Sequence, residues 1–157
     1  MRMKKIIVAI LFTILVVCLA GCGKTDTDVA IEDYKWKLTV IQSGKDGSIV
    51  CCSSETYEIH KDIEGIKVVD LILTAQNGSF MISDSANDKN YNGTYTVNIS
   101  NKNCMIYDIV IGEESGHATT AYTEYKNEAD TVQRIPTLIV SVGDYSLTFQ
   151  HKLAKEE

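Results

Sequence analysis

Histidine, proline and tryptophan are scarce in this chain of 157 residues, which holds three, one and one of them. The histidines, His60, His117 and His151, lie in separate segments without the His-x-x-x-His spacing that brings two ligands to one metal ion. The chain also lacks a Cys-x-x-Cys pair and the Gly-x-Ser-x-Gly motif of α/β serine hydrolases. We therefore expect no metal, no cofactor and no enzymatic activity.

A long apolar run is present only at the beginning of the chain. Basic residues within the first five positions precede an apolar stretch over residues 6–20, which Leu19-Ala20-Gly21-Cys22 closes. That stretch is marginal for a permanent transmembrane helix, which needs about 20 apolar residues. The four closing residues resemble the lipobox of bacterial lipoproteins. An ordinary secretory leader with an incidental Cys22, or an uncleaved membrane helix, is the alternative.

The lipobox resemblance implies that Cys22 carries lipid. In that family a diacylglycerol is attached to the cysteine thiol, the leader is cut before the cysteine, and the new amino terminus is often acylated, for example with palmitate. Two or three acyl chains anchor a protein stably, whereas one is marginal. We expect a lipoprotein attached through Cys22 to the extracytoplasmic face of the cell membrane.

This resemblance divides the chain into a signal peptide (1–21), a lipidated flexible tether (22–33) and an all-β domain (34–157). The tether is assigned because its residues are mostly small or charged and show no repeating apolar face. Loss of the leader removes three of fifteen basic residues and no acidic one, which leaves a net charge of −9. An acidic domain of this kind repels nucleic acid and anionic lipid headgroups. We expect a monomer without a nucleic-acid partner.

Three cysteines remain once the leader is removed and Cys22 is acylated. Cys51 and Cys52 are adjacent in a predicted strand and therefore point to opposite faces, so only one of them can meet Cys104. A disulfide between Cys104 and Cys51 or Cys52 is one expectation for a protein outside the cytoplasm. Buried free thiols are the other.

Short segments rich in Val, Ile, Thr and Tyr follow residue 33, separated every eight to twelve residues by turn residues. Tyr34, Trp36, Leu38 and Val40 alternate with polar residues, as in a half-buried strand. We predict about nine strands in all, and Asp46-Gly47, Asn77-Gly78 and Asn92-Gly93 provide the chemistry of tight turns. The predicted strands cover residues 34–40, 48–59, 66–75, 79–83, 94–99, 104–111, 117–125, 135–142 and 145–151.

Two other local interpretations are weaker. A helix over residues 57–75 would contain Gly65 and a β-branched run, both of which disfavour it. Asp88, Asn90 and Asn92 match the start of a calcium-binding loop, but the glutamate needed at its twelfth position is Ile99. An Asn-Gly turn in a solvated loop explains the same residues.

An antiparallel domain of eight or nine strands can close as an up-and-down barrel or form a β-sandwich. Trp36 in the first strand, Thr123-Glu124-Tyr125 and Arg134 resemble the signature positions of lipocalins and related calycin barrels. Tyr34 stands where that pattern has glycine, and Glu124 where it has aspartate. The resemblance implies a lipocalin-like barrel. A tryptophan packed across a sandwich core is the alternative.

The barrel interpretation predicts a module that binds a small apolar or amphipathic molecule in its interior. The residues expected to line that interior are Trp36, Leu38, Tyr95, Val97, Tyr122, Tyr145 and Phe149. The alternative is a cell-surface module or inhibitor with a filled core that binds an envelope or host protein. Its anchors would be exposed tyrosines such as Tyr91, Tyr107 and Tyr125. A third hypothesis is an enzyme whose site assembles only in the fold, and a cluster of His, Asp or Glu side chains inside a cavity would favour it.

Overall fold

The protein is a closed, eight-stranded antiparallel β-barrel with two additional strands at one end. The structure, a computed structural model, describes residues 29–100, 104–126 and 131–151. The expected barrel is confirmed, and the sandwich alternative is not. The elements are β1 (Trp36–Ser43), β2 (Ile49–Cys52), α1 (Tyr57–His60), β3 (Lys67–Val68), β4 (Leu71–Gln76), β5 (Ser79–Asp84), β6 (Lys89–Ser100), β7 (Cys104–Ile111), β8 (Glu114–Lys126), β9 (Val132–Val142) and β10 (Tyr145–Gln150).

Strands β4 to β10 form an antiparallel meander, and β1 closes the ring by pairing with both β10 and β4. The β1–β4 contact is short and consists of the pairs Trp36↔Leu73 and Lys37↔Ile72. Further along, β1 pairs with β2 instead, and β2 pairs in parallel with β3 just before β4 begins. The segment 48–69, which we call the flap, is therefore inserted between β1 and β4 at one end of the barrel.

Most of the tight turns between strands lie where the sequence predicts them. Gly47 has a φ of +70°, and Asn77 and Gly78 have φ angles of +52° and +76°, as tight hairpins require. Asn92-Gly93 was expected to form a turn, but both residues lie within β6, opposite Met81 and Phe80 of β5. Gly93 serves packing there, since a Cβ atom would overlap the Phe80 ring and lie 2.6 Å from the Val110 carbonyl oxygen. The β5–β6 turn lies at residues 85–88.

The predicted strand over residues 48–59 ends at Cys52 because the chain turns and forms the short helix α1. The predicted strand 66–75 is divided into β3 and β4, and the alternative helix over 57–75 is limited to four residues. Strand β6 begins at Lys89, five residues before the predicted start, because Asn90 and Asn92 continue the ladder with β5.

A β-bulge at Thr39 interrupts the alternation of β1, so the positions that face the interior shift by one residue after it. Leu38 is paired with Phe149 before the bulge, and Ile41 with Leu147 after it. The Thr39 hydroxyl donates a hydrogen bond to the Thr148 carbonyl oxygen across the bulge, over 2.9 Å. Apolar side chains therefore face the interior on both sides of the bulge, although the sequence alternates strictly only up to Val40.

One end of the barrel is filled by side chains, and we call it the closed end. Trp36, Leu73, Tyr107, Leu138 and Phe149 are almost completely buried there. Residues 29–33 cross this end with Val29 and Ile31 buried. This corrects the expected tether over its last five residues: they belong to the folded domain, because two apolar side chains in an otherwise polar stretch enter the core. Residues 22–28 lie outside the described residues.

Candidate functional site

The opposite end of the barrel holds a cavity of about 800 Å³, within the range of small-molecule sites. The barrel contributes Ile41, Leu71, Ile82, Asp84, Tyr91, Ile111, Glu114, Val142, Tyr145 and Leu147 to its lining. The flap contributes Ser48, Ile49, Val50, Cys51, Ile63, Glu64, Gly65, Lys67 and Val69. We call this end the mouth.

The barrel wall of the cavity is built from neighbouring strands in register. Leu147 of β10 lies opposite Ile41 of β1 on one side and Val140 of β9 on the other. On the far side of the ring, Ile82 of β5 lies between Leu73 and Tyr91. Branched aliphatic side chains therefore surround most of the space, which suits an apolar ligand body.

The flap is held over the mouth by polar contacts at its base. The Ser54 amide and hydroxyl both donate to the Asp70 carboxylate, over 2.8 and 3.0 Å. The Thr56 hydroxyl donates to the Thr39 carbonyl oxygen over 2.7 Å. These bonds fix the flap beside β1 and β4 while its tip at Ile63, Glu64 and Gly65 reaches the cavity.

Two tyrosines and two carboxylates stand on the barrel wall of the cavity. Tyr91 and Tyr145 are about half exposed. Asp84 is 6% exposed and accepts hydrogen bonds from the Asn87 amide (3.2 Å) and side-chain nitrogen (2.7 Å). Glu114 begins β8 and is exposed. The cavity therefore combines a large apolar surface with a few polar groups that can orient a ligand.

Cys51 and Cys52 point to different surroundings, as adjacent strand residues must. Cys51 lines the cavity and Cys52 is fully buried. Burial raises the pKa of both thiols, which keeps them protonated and weakly nucleophilic. No disulfide links Cys51, Cys52 and Cys104 to one another, so the expected bridge is not formed. The reason is topological: Cys104 begins β7 near the closed end, while Cys51 and Cys52 lie in the flap at the mouth.

The structure separates the residues predicted to line a ligand site. Of the seven, only Tyr145 lines the cavity. Trp36, Leu38, Tyr95 and Phe149 are buried in the core instead, because they face the interior at or near the filled end. Val97 is 54% exposed, and Tyr122 packs against the edge of the core.

Trp36, Glu124 and Arg134, three of the positions on which the resemblance to lipocalins rests, lie near the closed end. The Arg134 guanidinium lies 4.6 Å from the centre of the Tyr122 ring, and its Nε is 3.4 Å from Glu124. The Tyr34 ring contacts the rings of Trp36 and His151 at centroid distances of 5.4 and 4.7 Å. Hydrogen bonding with Tyr122, supported by burial, raises the pKa of Tyr34 to about 12. These residues cover the end of the core and lie away from the cavity.

Sequence reasoning missed most of the cavity lining. Ile82, Ile111, Val142 and Leu147 lie in predicted strands, but alternation alone does not show which end of a strand meets a filled core. Of the three tyrosines proposed as exposed anchors, the prediction for Tyr107 is wrong, because its side chain is only 1% exposed. Tyr91 is exposed but lines the cavity, and Tyr125 is exposed outside it.

Several expectations concern residues that the structure does not describe. Cys22, the lipobox and the leader lie outside the described residues. Within residues 29–100, 104–126 and 131–151, no helix is both long and apolar enough to span a membrane. Nowhere in that part of the chain do three or more His, Cys, Asp or Glu side chains gather as candidate metal ligands.

Comparison of the chain with models of protein families, with curated proteins and with solved structures found no match.

Proposed function

We propose that this protein is a lipid-anchored lipoprotein of the extracytoplasmic membrane face that binds a small apolar or amphipathic molecule in the cavity at the mouth of its barrel. The observation that carries the binding proposal is the cavity of about 800 Å³ with its mainly aliphatic wall. A filled core, which a purely protein-binding module would have, is present only at the closed end. The proposal is binding without catalysis.

The path of the chain supports a definite orientation on the membrane. Residues 29–33 enter the barrel at the closed end, and six residues separate Val29 from Cys22. Seven extended residue steps span at most about 25 Å. An anchor at Cys22 therefore keeps the closed end near the bilayer and leaves the mouth directed away from it. The ligand would enter from the aqueous side.

Binding is tested by native mass spectrometry and by a pair of variants on one strand. The chain from residue 24 onward is expected to retain a small molecule on purification. Ile111→Trp fills the cavity and should abolish this retention, whereas Val110→Trp, on the neighbouring outward-facing position, should not. Protein that is always empty, or equal retention by both variants, would contradict a ligand in the cavity.

Anchoring is tested separately by cell fractionation of Cys22→Ser. Loss of the acylated thiol should move the protein from membranes to the soluble fraction. Membrane retention equal to that of the unchanged protein would refute lipid attachment at Cys22.

A further inference from the structure

We infer that the cavity selects an amphipathic ligand whose polar end carries a positive charge. This inference rests on the small-molecule function proposed above and adds the chemical class of the ligand. It follows from the way in which charged side chains are distributed between the two walls of the cavity.

The barrel wall carries acidic groups and no basic group. Asp84 and Glu114 are its only ionisable side chains apart from the tyrosines. Within the described residues, no Lys, Arg or His side chain forms an ion pair with either of them. Asp84 is the more significant, because a buried carboxylate without an ion pair is costly: Lys89 lies opposite it in the β5–β6 ladder but forms no ion pair with it, and its hydrogen-bond donors come from one neutral residue, Asn87.

The flap does not neutralise this wall. It contributes one acidic residue, Glu64, and one basic residue, Lys67, whose formal charges cancel. Lys67 lies opposite Cys51 in the β2–β3 pair. The net formal charge of the lining is therefore −2, in a space whose apolar walls strengthen electrostatic interactions relative to bulk water.

The tyrosines at the rim fit the same ligand class. Tyr91 and Tyr145 line the cavity, and each exposes about half of its surface. The face of a tyrosine ring attracts an organic cation within about 6 Å of its centre. An ammonium group near the rim would meet these rings and the two carboxylates, while its apolar tail would contact Ile82, Ile111 and Leu147.

Asp84 also has a structural role that the test must separate from ligand selection. It accepts the Asn87 amide and so supports the turn between β5 and β6. Asp84→Asn keeps an oxygen acceptor for that amide and removes the charge, but it loses the second oxygen, which accepts from the Asn87 side-chain nitrogen. Glu114→Gln likewise removes a carboxylate charge, at a residue that does not bind the Asn87 amide.

The experiment compares three probes that share an eight-carbon chain: octyltrimethylammonium, 1-octanol and octanoate. The described residues contain the closed barrel and its core, so the chain from residue 24 onward serves as the test protein. Isothermal titration calorimetry should show the cation binding roughly tenfold more tightly than octanoate, as one favourable charge interaction allows. Added salt should reduce this difference.

The double variant Asp84→Asn/Glu114→Gln should lower the affinity for octyltrimethylammonium about tenfold and leave that for 1-octanol within about twofold. Glu113→Gln is the matched control, since Glu113 precedes Glu114 but does not line the cavity. It should retain the cation preference. Thermal unfolding of each variant verifies that the barrel is intact.

The outcomes separate the charge inference from the function on which it rests. Equal affinity for all three probes, or preference for octanoate, would overturn the charge inference and leave a small-molecule cavity. A cation preference that survives in the double variant would also overturn it. If no probe binds and the purified protein is always empty, the proposed binding function fails as well.

Discussion

The backbone amide of Ile31 donates a hydrogen bond to the hydroxyl of Tyr107, 3.0 Å away and 76 positions later in the sequence. Three other bonds hold the same segment. The Trp36 indole donates to the Ile31 carbonyl oxygen over 2.7 Å, the Thr120 hydroxyl to the Val29 carbonyl oxygen, and the Tyr95 hydroxyl to Glu32. The first residues of the domain thus exchange hydrogen bonds with side chains of the barrel interior.

Tyr107→Phe should lower the free energy of unfolding by about 1–3 kcal/mol, because the buried Ile31 amide loses its acceptor. Urea-induced unfolding measures this loss. Tyr145→Phe removes the same hydroxyl from a half-exposed ring at the mouth and should change stability by less than about 0.5 kcal/mol. Equal stability of the two variants would contradict the role assigned to Tyr107.

Ile31→Ala should destabilise the barrel by about 2–5 kcal/mol, since Ile31 is 1% exposed and its removal leaves a cavity in the closed end. Ile59→Ala deletes the same atoms from a side chain that is 76% exposed and should be nearly neutral. A small effect at Ile31 in chemical unfolding would show that residues 29–33 behave as a tether after all.

Gly116→Ala should destabilise the protein by roughly 1–3 kcal/mol or prevent folding, because the added methyl group would overlap the Ser141 carbonyl oxygen on β9. Ser115→Ala, at the adjacent exposed position, is the control. Comparison of the two melting temperatures tests the prediction, and tolerance of Gly116→Ala would contradict the close approach of β8 and β9.

Stability should fall as the pH rises from about 10 to about 12. Burial, aided by the hydrogen bond to Glu32, raises the pKa of Tyr95 to about 12, whereas an unfolded tyrosine has a pKa of about 10. Between these values the unfolded chain loses a proton that the folded chain keeps, so ionisation favours unfolding. Below about pH 10 the contribution of Tyr95 is fully present.

Urea unfolding across this pH range, with absorbance at about 295 nm to follow tyrosine ionisation, measures the effect. Tyr95→Phe should make the decline in stability shallower, while Tyr145→Phe should not. An unchanged decline in Tyr95→Phe would argue against a raised pKa at this position.

The orientation on the membrane can be measured with lipidated single-cysteine variants in which Cys51, Cys52 and Cys104 are replaced by alanine. A fluorophore at Gln133→Cys lies at the start of β9 near the closed end, and one at Asp46→Cys lies in the β1–β2 turn at the mouth. A quencher attached to lipid headgroups should quench the first fluorophore more than the second. Equal or reversed quenching would contradict the proposed orientation.

Alternation of apolar and polar residues was sufficient to predict the fold class, because a period of two in segments such as β1, β6 and β10 is independent of their partners. The elements that it missed depend on tertiary contacts. Asn92-Gly93 has the composition of a turn, yet the Phe80 ring packs over Gly93 and keeps β6 extended. Val29 and Ile31 are too few to show a pattern, and their burial depends on the core cluster that they share with Trp36 and Tyr107.

The cavity was less predictable than the fold for a related reason. Periodicity separates the inward face of a strand from its outward face but does not divide the inward residues between a filled end and an open one. Trp36 and Phe149 appear equivalent to Tyr145 and Leu147 in the sequence, although the first pair fills the core and the second lines the cavity. The flap, whose residues line half of the site, follows no alternating pattern beyond Cys52.

The ring is joined between β1 and β4 by only two residue pairs, whereas β8 and β9 share eleven. Both pairs lie toward the closed end, and nearer the mouth the flap separates β1 from β4. Widening the rim for a bulkier ligand can therefore proceed by displacement of the flap and leaves these two pairs in place. We therefore expect the cavity to accept ligands of different widths, because the flap and not a continuous β1–β4 ladder closes this side of the mouth.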